Sequence, residues 1–591
     1  MDDEILRYYE AEMRYLREAG QEFARAHPDR AALLNLDRVG ERDPFVERLF
    51  EGFAFLTGRL RQRLDDDLPE LTEGLMTLLW PHYLRMIPSL TVVELIPRME
   101  ALQHSEAVPA GLVLRGTPVG PEATRCLYRT TQPVPLLPLR LSDARPVIRH
   151  DGRSAIRLRL ALAWQGKPAP LDFSRIRFFL GADVPVASAL RLALTQQVDH
   201  IELRVPGDEA GPAGGRRPEG LRIEAGGFDQ RLWPKADNAF GGYQLLLEYF
   251  TFREKFMFVD LCGLDPASLP EGMPWLEIDV VLNQRYPADM PFGPGDIRLH
   301  CTPAINLFEL EAEPIRLDHF APEYRVTPML AEKGQVETWS VDAVQSFSHD
   351  DNQRHAYTPF TSFRHGGGML RHEAPERYYH ARVRRGASGL FETWLVLGGH
   401  AWHAGQGLPQ ETLSLRVTGT NGLLPRKALR ESQILEMVTD YPCVSSVRNV
   451  TAPTLPVYPP TEDRFHWRVL SHLAPNYLSL MDAEVLRGTL ALYDWTDDEM
   501  NRRRLRGIVQ VAHRRLDRIE RGCVLRGVEI TVTLDSQCYA GEGDLDLFGE
   551  MLNRFFAAYA DLNLFVQLVL LSQPDGRRIV REPVVPEAVP L

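Results

Sequence analysis

Residues 64–89, LDDDLPELTEGLMTLLWPHYLRMIPS, set three aspartates and two glutamates beside a Trp-Pro-His-Tyr run. Acids this dense can hold a metal or run acid/base chemistry, or they can end one helix and begin another. Asp67 and Glu70 have the spacing of a capping box, with an acceptor at the cap and an acid three residues on. Pro69 suits the first turn, where a missing N–H costs nothing. Leu71, Leu75, Leu78 and Leu79 then supply an apolar face, and Pro81 disfavours helical geometry at Trp80. Asp65 and Asp66 remain on the connection. The only nearby imidazole, His82, lies a full helix away, so no set of metal ligands converges in this stretch. The stretch reads as a helix–turn–helix joint.

Working outward, the first 90 residues read as helical. Ile5, Tyr9, Met13, Leu16 and Phe23 recur on one face until Pro28. A second helix opens at Asp43-Pro44, a cap followed by a first-turn proline. Its stripe is Phe45, Leu49, Phe53, Leu56, Leu60 and Leu64, widened by Val46 and Phe50. That is more apolar surface than a one-sided helix needs, so the helix is expected to pack against two neighbours.

Past residue 91 the texture changes to short apolar runs between Pro and Gly breaks: SLTVVELIP, SAIRLRLALAW, HIELRV, GYQLLLEYFTF, GLFETWLVL and ETLSLRVTGTN. These read as strands. GDEAGPAGGRRPEG (207–220) reads as a surface loop, and 345–380, rich in Gly, His and Arg, as a long loop. TAPTLPVYPPTEDR (451–464) reads as a Pro-rich linker. NRRRLRGIVQVAHRRLDR (501–518) reads as an Arg-rich helix with Leu505, Ile508, Val511, Leu516 and Ile519 as its buried stripe. GVEITVTLD alternates as a half-buried strand. A helix follows, carrying Phe548, Leu552, Phe555, Tyr559 and Leu562 at seam spacing. LFVQLVLLSQPDGRRIV reads as a hairpin turning at Pro574-Asp575-Gly576.

The expected fold is α+β and multidomain: an N-terminal helical segment (1–90), β-rich middle domains (91–330 and 331–450), a linker (451–464) and an α+β C-terminal assembly domain (465–591). The chain's 591 residues suit about two to four domains. A net charge of -13 offers no global field for nucleic acid. Six scattered cysteines without a CxxC fit a reducing compartment. No apolar run reaches about 18 residues, so no membrane insertion is expected.

Catalytic templates fail in turn. No GxxxxGK[ST] cradles phosphate and no GxSxG exposes a nucleophile. HEAPE (372–376) lacks the second histidine of HExxH, and Pro375 would break the aligning helix. His349, Asp350, Asp351 and His355 form the best candidate ligand set, inside a loop where such residues are usually solvated. His400 and His403 lie beside glycines. The alternative function is therefore a metal-dependent or carbohydrate-processing enzyme using the His/Asp loop at 349–380. No cofactor, metal or catalytic residue is expected.

Four long segments then become informative together: YYEAEMRYLREAGQEFARAHP, DPFVERLFEGFAFLTGRLRQRLDDDLPELTEGLMTLLWPHYLRMIPS, CTPAINLFELEAEPIRLDHFAPEYRV and WRVLSHLAPNYLSL. They strongly resemble the type VI secretion baseplate family TssF, also called VasA or ImpG, and RGVEITVTLD…LFGEMLNRFFAAYADLN is similar to the same family. The segments lie in the family's order across nearly the whole chain; AYADLN departs from it where a serine is expected. The resemblance implies a non-enzymatic wedge protein, two copies joining one TssG. It further implies contact with TssK, TssE, the VgrG spike and the sheath, in the cytoplasm at the inner-membrane complex. Partner-facing residues are expected on the wide helical faces: Ile5, Tyr9, Met13 and Leu16; Phe45, Leu49, Phe53 and Leu60; and Phe548, Phe555 and Phe556. The last group is expected to join a second copy of the chain.

Overall fold

The computed structural model describes residues 9–16 except 11, 48–58, positions 74, 76 and 77, and 80–583 apart from breaks at 103, 121, 164–170, 207–214, 234–240, 318–320, 330–335, 349–352, 361–376, 387–390, 400–410, 428–432, 461–479, 521–522 and 559–563. The chain forms two compact units, Met1–Leu79 with Glu462–Ser471, and Trp80–Thr461 with His472–Leu591. The acids of 64–70 and their capping box lie outside the described residues.

In the second unit, the run SLTVVELIP becomes the strand Leu90–Pro97, nearly all of it buried, as a strand covered on both faces requires. It sits between Cys301–Ile305 and Val444–Asn449 in a six-stranded sheet whose order continues through Thr124–Thr130 and Val113–Val119 to Ile434–Met437. Val93, Leu95, Leu114, Tyr128, Ala304 and Val447 share its core. Strands assigned from sequence to separate domains, 91–330 and 331–450, thus belong to one sheet. The boundary fails because antiparallel pairing between Leu90–Pro97 and Val444–Asn449 is non-local.

The Pro-rich run beginning at 451 is stitched to this sheet rather than spanning free. Val92 N–H donates to Thr451 Oγ1 (2.8 Å), Leu90 N–H donates to Thr454 Oγ1 (2.9 Å), and Ile87 bridges Val457. Prolines suit such an extended path because their φ is already fixed at about −65°, while the threonine hydroxyls accept the strand's N–H groups. His300, buried beside the sheet, accepts Leu137 N–H at Nε2 (3.3 Å), and burial pushes its imidazole down to about 4. A base depressed in the folded state gains its proton first on unfolding. Stability is therefore full above the unfolded value of 6.5 and falls as pH drops toward 4, by roughly 3 kcal/mol. Denaturant titrations across that window should show the loss in the native chain and not in His300→Gln.

Two four-stranded sheets, one eight-stranded sheet and a two-stranded pair, Glu106–Val108 with Val134–Leu136, complete the β-rich middle. Two sequence readings are corrected here. GYQLLLEYFTF is the helix Gly241–Thr251, since Tyr243, Leu246, Leu247 and Phe250 fall at helical spacing and all are buried. The region 345–380 is only partly loop: strands Glu337–Ser348, Arg354–Pro359 and Arg377–Arg385 cross it within the eight-stranded sheet. Buried Glu411 ties them together, accepting from Tyr357 Oη (2.8 Å) and Arg377 (2.9 Å).

In the C-terminal part, the expected Arg-rich helix ends early. Glu499–Arg506 is helical, and Ile508–Glu520 is a strand paired with Cys523–Asp535. Gly507 makes the change; a Cβ there would lie 2.8 Å from Cys538 and 2.9 Å from the Tyr539 ring. Ile519, expected in a buried stripe, is 77% exposed. Cys523–Asp535 pairs in parallel with Leu564–Gln573, which demands a crossover, and helix Glu542–Ala558 supplies it. The hairpin at 574–576 forms as expected, Leu570 opposite Ile579 and Gly576 at φ 65°.

Candidate assembly interface

The crossover helix settles the placement of three candidate residues. Phe548, Phe555 and Phe556 are each 0% exposed, as is Met551. The helix packs against helices Val184–Gln196 and Gly241–Thr251 on one side and strand Leu564–Gln573 on the other. Phe548 meets the rings of Tyr539 (5.5 Å) and Tyr249 (6.0 Å). The expected joint between copies through Phe556 is thereby corrected. Met551 and Phe556 belong to the chain's own core, in a helix covered by helices from far upstream. Tyr559 and Leu562 lie outside the described residues.

Buried charges lock the same helix in place. Asp544 accepts from Arg504 Nε (3.0 and 3.1 Å), from Ala540 N–H (3.0 Å) and from Arg253. Burial opposes ionisation of Asp544, yet Arg253 and Arg504 hold its carboxyl below the usual range. Asp546 pairs with Arg191 (3.4 Å) and Arg581. These contacts join residues 184–256 to 499–581, so the region that reads as a separate C-terminal domain is fused to the middle of the chain.

The first unit differs. Segment 48–58, RLFEGFAFLTG, is helical. Ala54 is fully buried and Gly58 buried, with Phe50 and Thr57 half-buried on the same side. Leu49, Phe53 and Leu56 fall on the other side at steps of four and three, 62%, 58% and 61% exposed. Thr57 Oγ1 bonds the Phe53 carbonyl (2.6 Å), which satisfies the hydroxyl inside the helix. The wide stripe thus has one covered face and one open face. Covering those three side chains would contribute on the order of 3–5 kcal/mol, and contiguous exposed apolar faces mark association sites.

Of the other candidates, Met13 is buried, Tyr9 and Leu16 are half-buried, and Ile5, Phe45 and Leu60 lie outside the described residues. Tyr15, 65% exposed, stands off the stripe through Tyr9 and Met13. His355 lies on strand Arg354–Pro359, while residues 349–351, HEAPE, His400 and His403 lie outside the described residues. Among the described residues no three His, Cys, Asp or Glu side chains gather as metal ligands would. No described helix is long and apolar enough to cross a membrane.

The family model described as "Type VI secretion system, TssF" matches residues 1–587. A relative from Pseudomonas aeruginosa, the type VI secretion system component TssF1, is 32% identical over 637 residues, covering 98% of each chain. A chain in the cryo-electron microscopy structure of the type VI TssK-TssF-TssG baseplate subcomplex is 51% identical with a TM-score of 0.80, over 91% of this chain and 98% of that one. A chain in a type VI baseplate complex is 50% identical with a TM-score of 0.64, over 98% and 100%.

Proposed function

The chain belongs to the type VI secretion TssF family of structural baseplate subunits, and on that footing we propose that it builds the baseplate wedge, two copies embracing one TssG. The open Leu49–Phe53–Leu56 face carries this reading: a helix already packed on one side presents a second apolar side that fits a partner helix. In the same proposal the wedge contacts TssK and TssE, surrounds the VgrG spike and founds the sheath, working in the cytoplasm against the inner-membrane complex. No step requires catalysis by this chain.

The test is Leu49→Asp with Phe53→Asp, co-expressed with TssG. Both side chains are exposed, so the variant should melt as the native chain does. A carboxylate buried unpaired in a helical seam is costly, so affinity for TssG should fall roughly a hundredfold or more. Full recovery of the complex would remove this face from the interface. Loss of folding would assign it to the chain's own core.

A further inference from the structure

Ile508–Glu520 and Cys523–Asp535 form a long ribbon at one edge of a four-stranded sheet. Among the described residues the third strand begins opposite Arg526, short of the ribbon's far end. At that end Ile519 faces Val524, 77% and 64% exposed. On the opposite side Ile508–Glu520 is the outer strand of its sheet, and among the described residues it pairs with no strand but Cys523–Asp535. Ala512–Arg515 and Asp517–Ile519 are exposed.

A long edge strand offers a row of main-chain donors and acceptors that only another extended segment can satisfy in register. The side chains then select the segment. His513, Arg514, Arg515 and Arg518 crowd the exposed stretch 512–519 of this edge, where the one acid is Asp517. Arg514 is engaged by Glu529 (2.7 Å). Arg515 and Arg518 are exposed and have no ion pair among the described residues. Self-pairing gains little, because an antiparallel pair centred on Leu516 matches Arg515 with Asp517 but sets Arg514 against Arg518, and one centred on Arg515 sets arginine against itself. The chain as a whole carries -13, so this edge is basic against its own background.

We propose that the outer edge of the Ile508–Glu520 strand takes up an extended acidic segment of a partner protein as an added β-strand. Backbone bonds supply the pairing, and Arg515 and Arg518 read carboxylates three residues apart, one on each face of the added strand.

A short blocked peptide of repeating glutamate-valine-valine, whose glutamates stand three apart and so on opposite faces of a strand, tests this on the full-length chain. Binding should slow hydrogen exchange at amides of 511–519, weaken with salt, and fall roughly tenfold in Arg515→Glu with Arg518→Glu. Arg515→Gln with Arg518→Gln, which keeps most of the bulk, should give an intermediate loss. The same peptide with alternate backbone nitrogens methylated should not bind. No binding, equal binding of the methylated peptide, or indifference to both variants would overturn the proposal. So would a dimer of the native chain by light scattering that the charge reversal abolishes. The ribbon variants leave the Leu49 face intact, so complex formation with TssG fails or succeeds independently.

Discussion

Asp544→Ala is expected to lower the unfolding free energy by about 3–5 kcal/mol, the usual result of removing one partner from a buried ion network. The carboxylate is 0% exposed and neutralises Arg253 and Arg504, both largely or fully inside. Truncation leaves two guanidiniums without a counter-charge and frees the Ala540 N–H. Thermal melts and denaturant titrations measure the loss. The sign of its pH dependence follows from the depressed carboxyl: the contribution is full above the unfolded value of 3.8 and disappears as pH falls below it. An Asp544→Ala chain as stable as the native one would remove the network from the account of how the crossover helix is held.

Gly543→Ala should be nearly as damaging, by about 2–4 kcal/mol, for a steric reason. Helix Glu542–Ala558 approaches helix Val184–Gln196 so closely that a Cβ at 543 would stand 2.2 Å from the Ser188 carbonyl oxygen. Backbone cannot step aside without moving the whole helix. Gly549→Ala is the internal control. Its Cβ would meet Leu570 Cδ1 at 2.1 Å, but that is the end of a flexible side chain, so the loss should be smaller. Equal melting of the two variants would show that the helices do not pack at this distance.

These two sites explain why the sequence misled at one helix and informed at another. Alternation at 528–534 and the seam spacing of 548–555 are local signals, and both elements form. Which side of the crossover helix is covered is not local, because its cover comes from Val184–Gln196 and Gly241–Thr251, hundreds of residues upstream. One of those covering helices, GYQLLLEYFTF, is apolar on so many positions that helical and strand periods both fit it. Gly507 hid the conversion of an Arg-rich helix into a ribbon, since the arginines that follow it face solvent in either form. The open face of 48–58 was legible for a simple reason: its apolar stripe is wider than one packing partner can cover.

Light scattering on the purified complex with TssG tests the assembly account most directly. Two copies of this chain for each TssG, reduced to separate components by Leu49→Asp with Phe53→Asp, is the result expected from a wedge subunit held by its open helical face. A monomeric native chain that forms no complex with TssG under conditions where both are folded would contradict it.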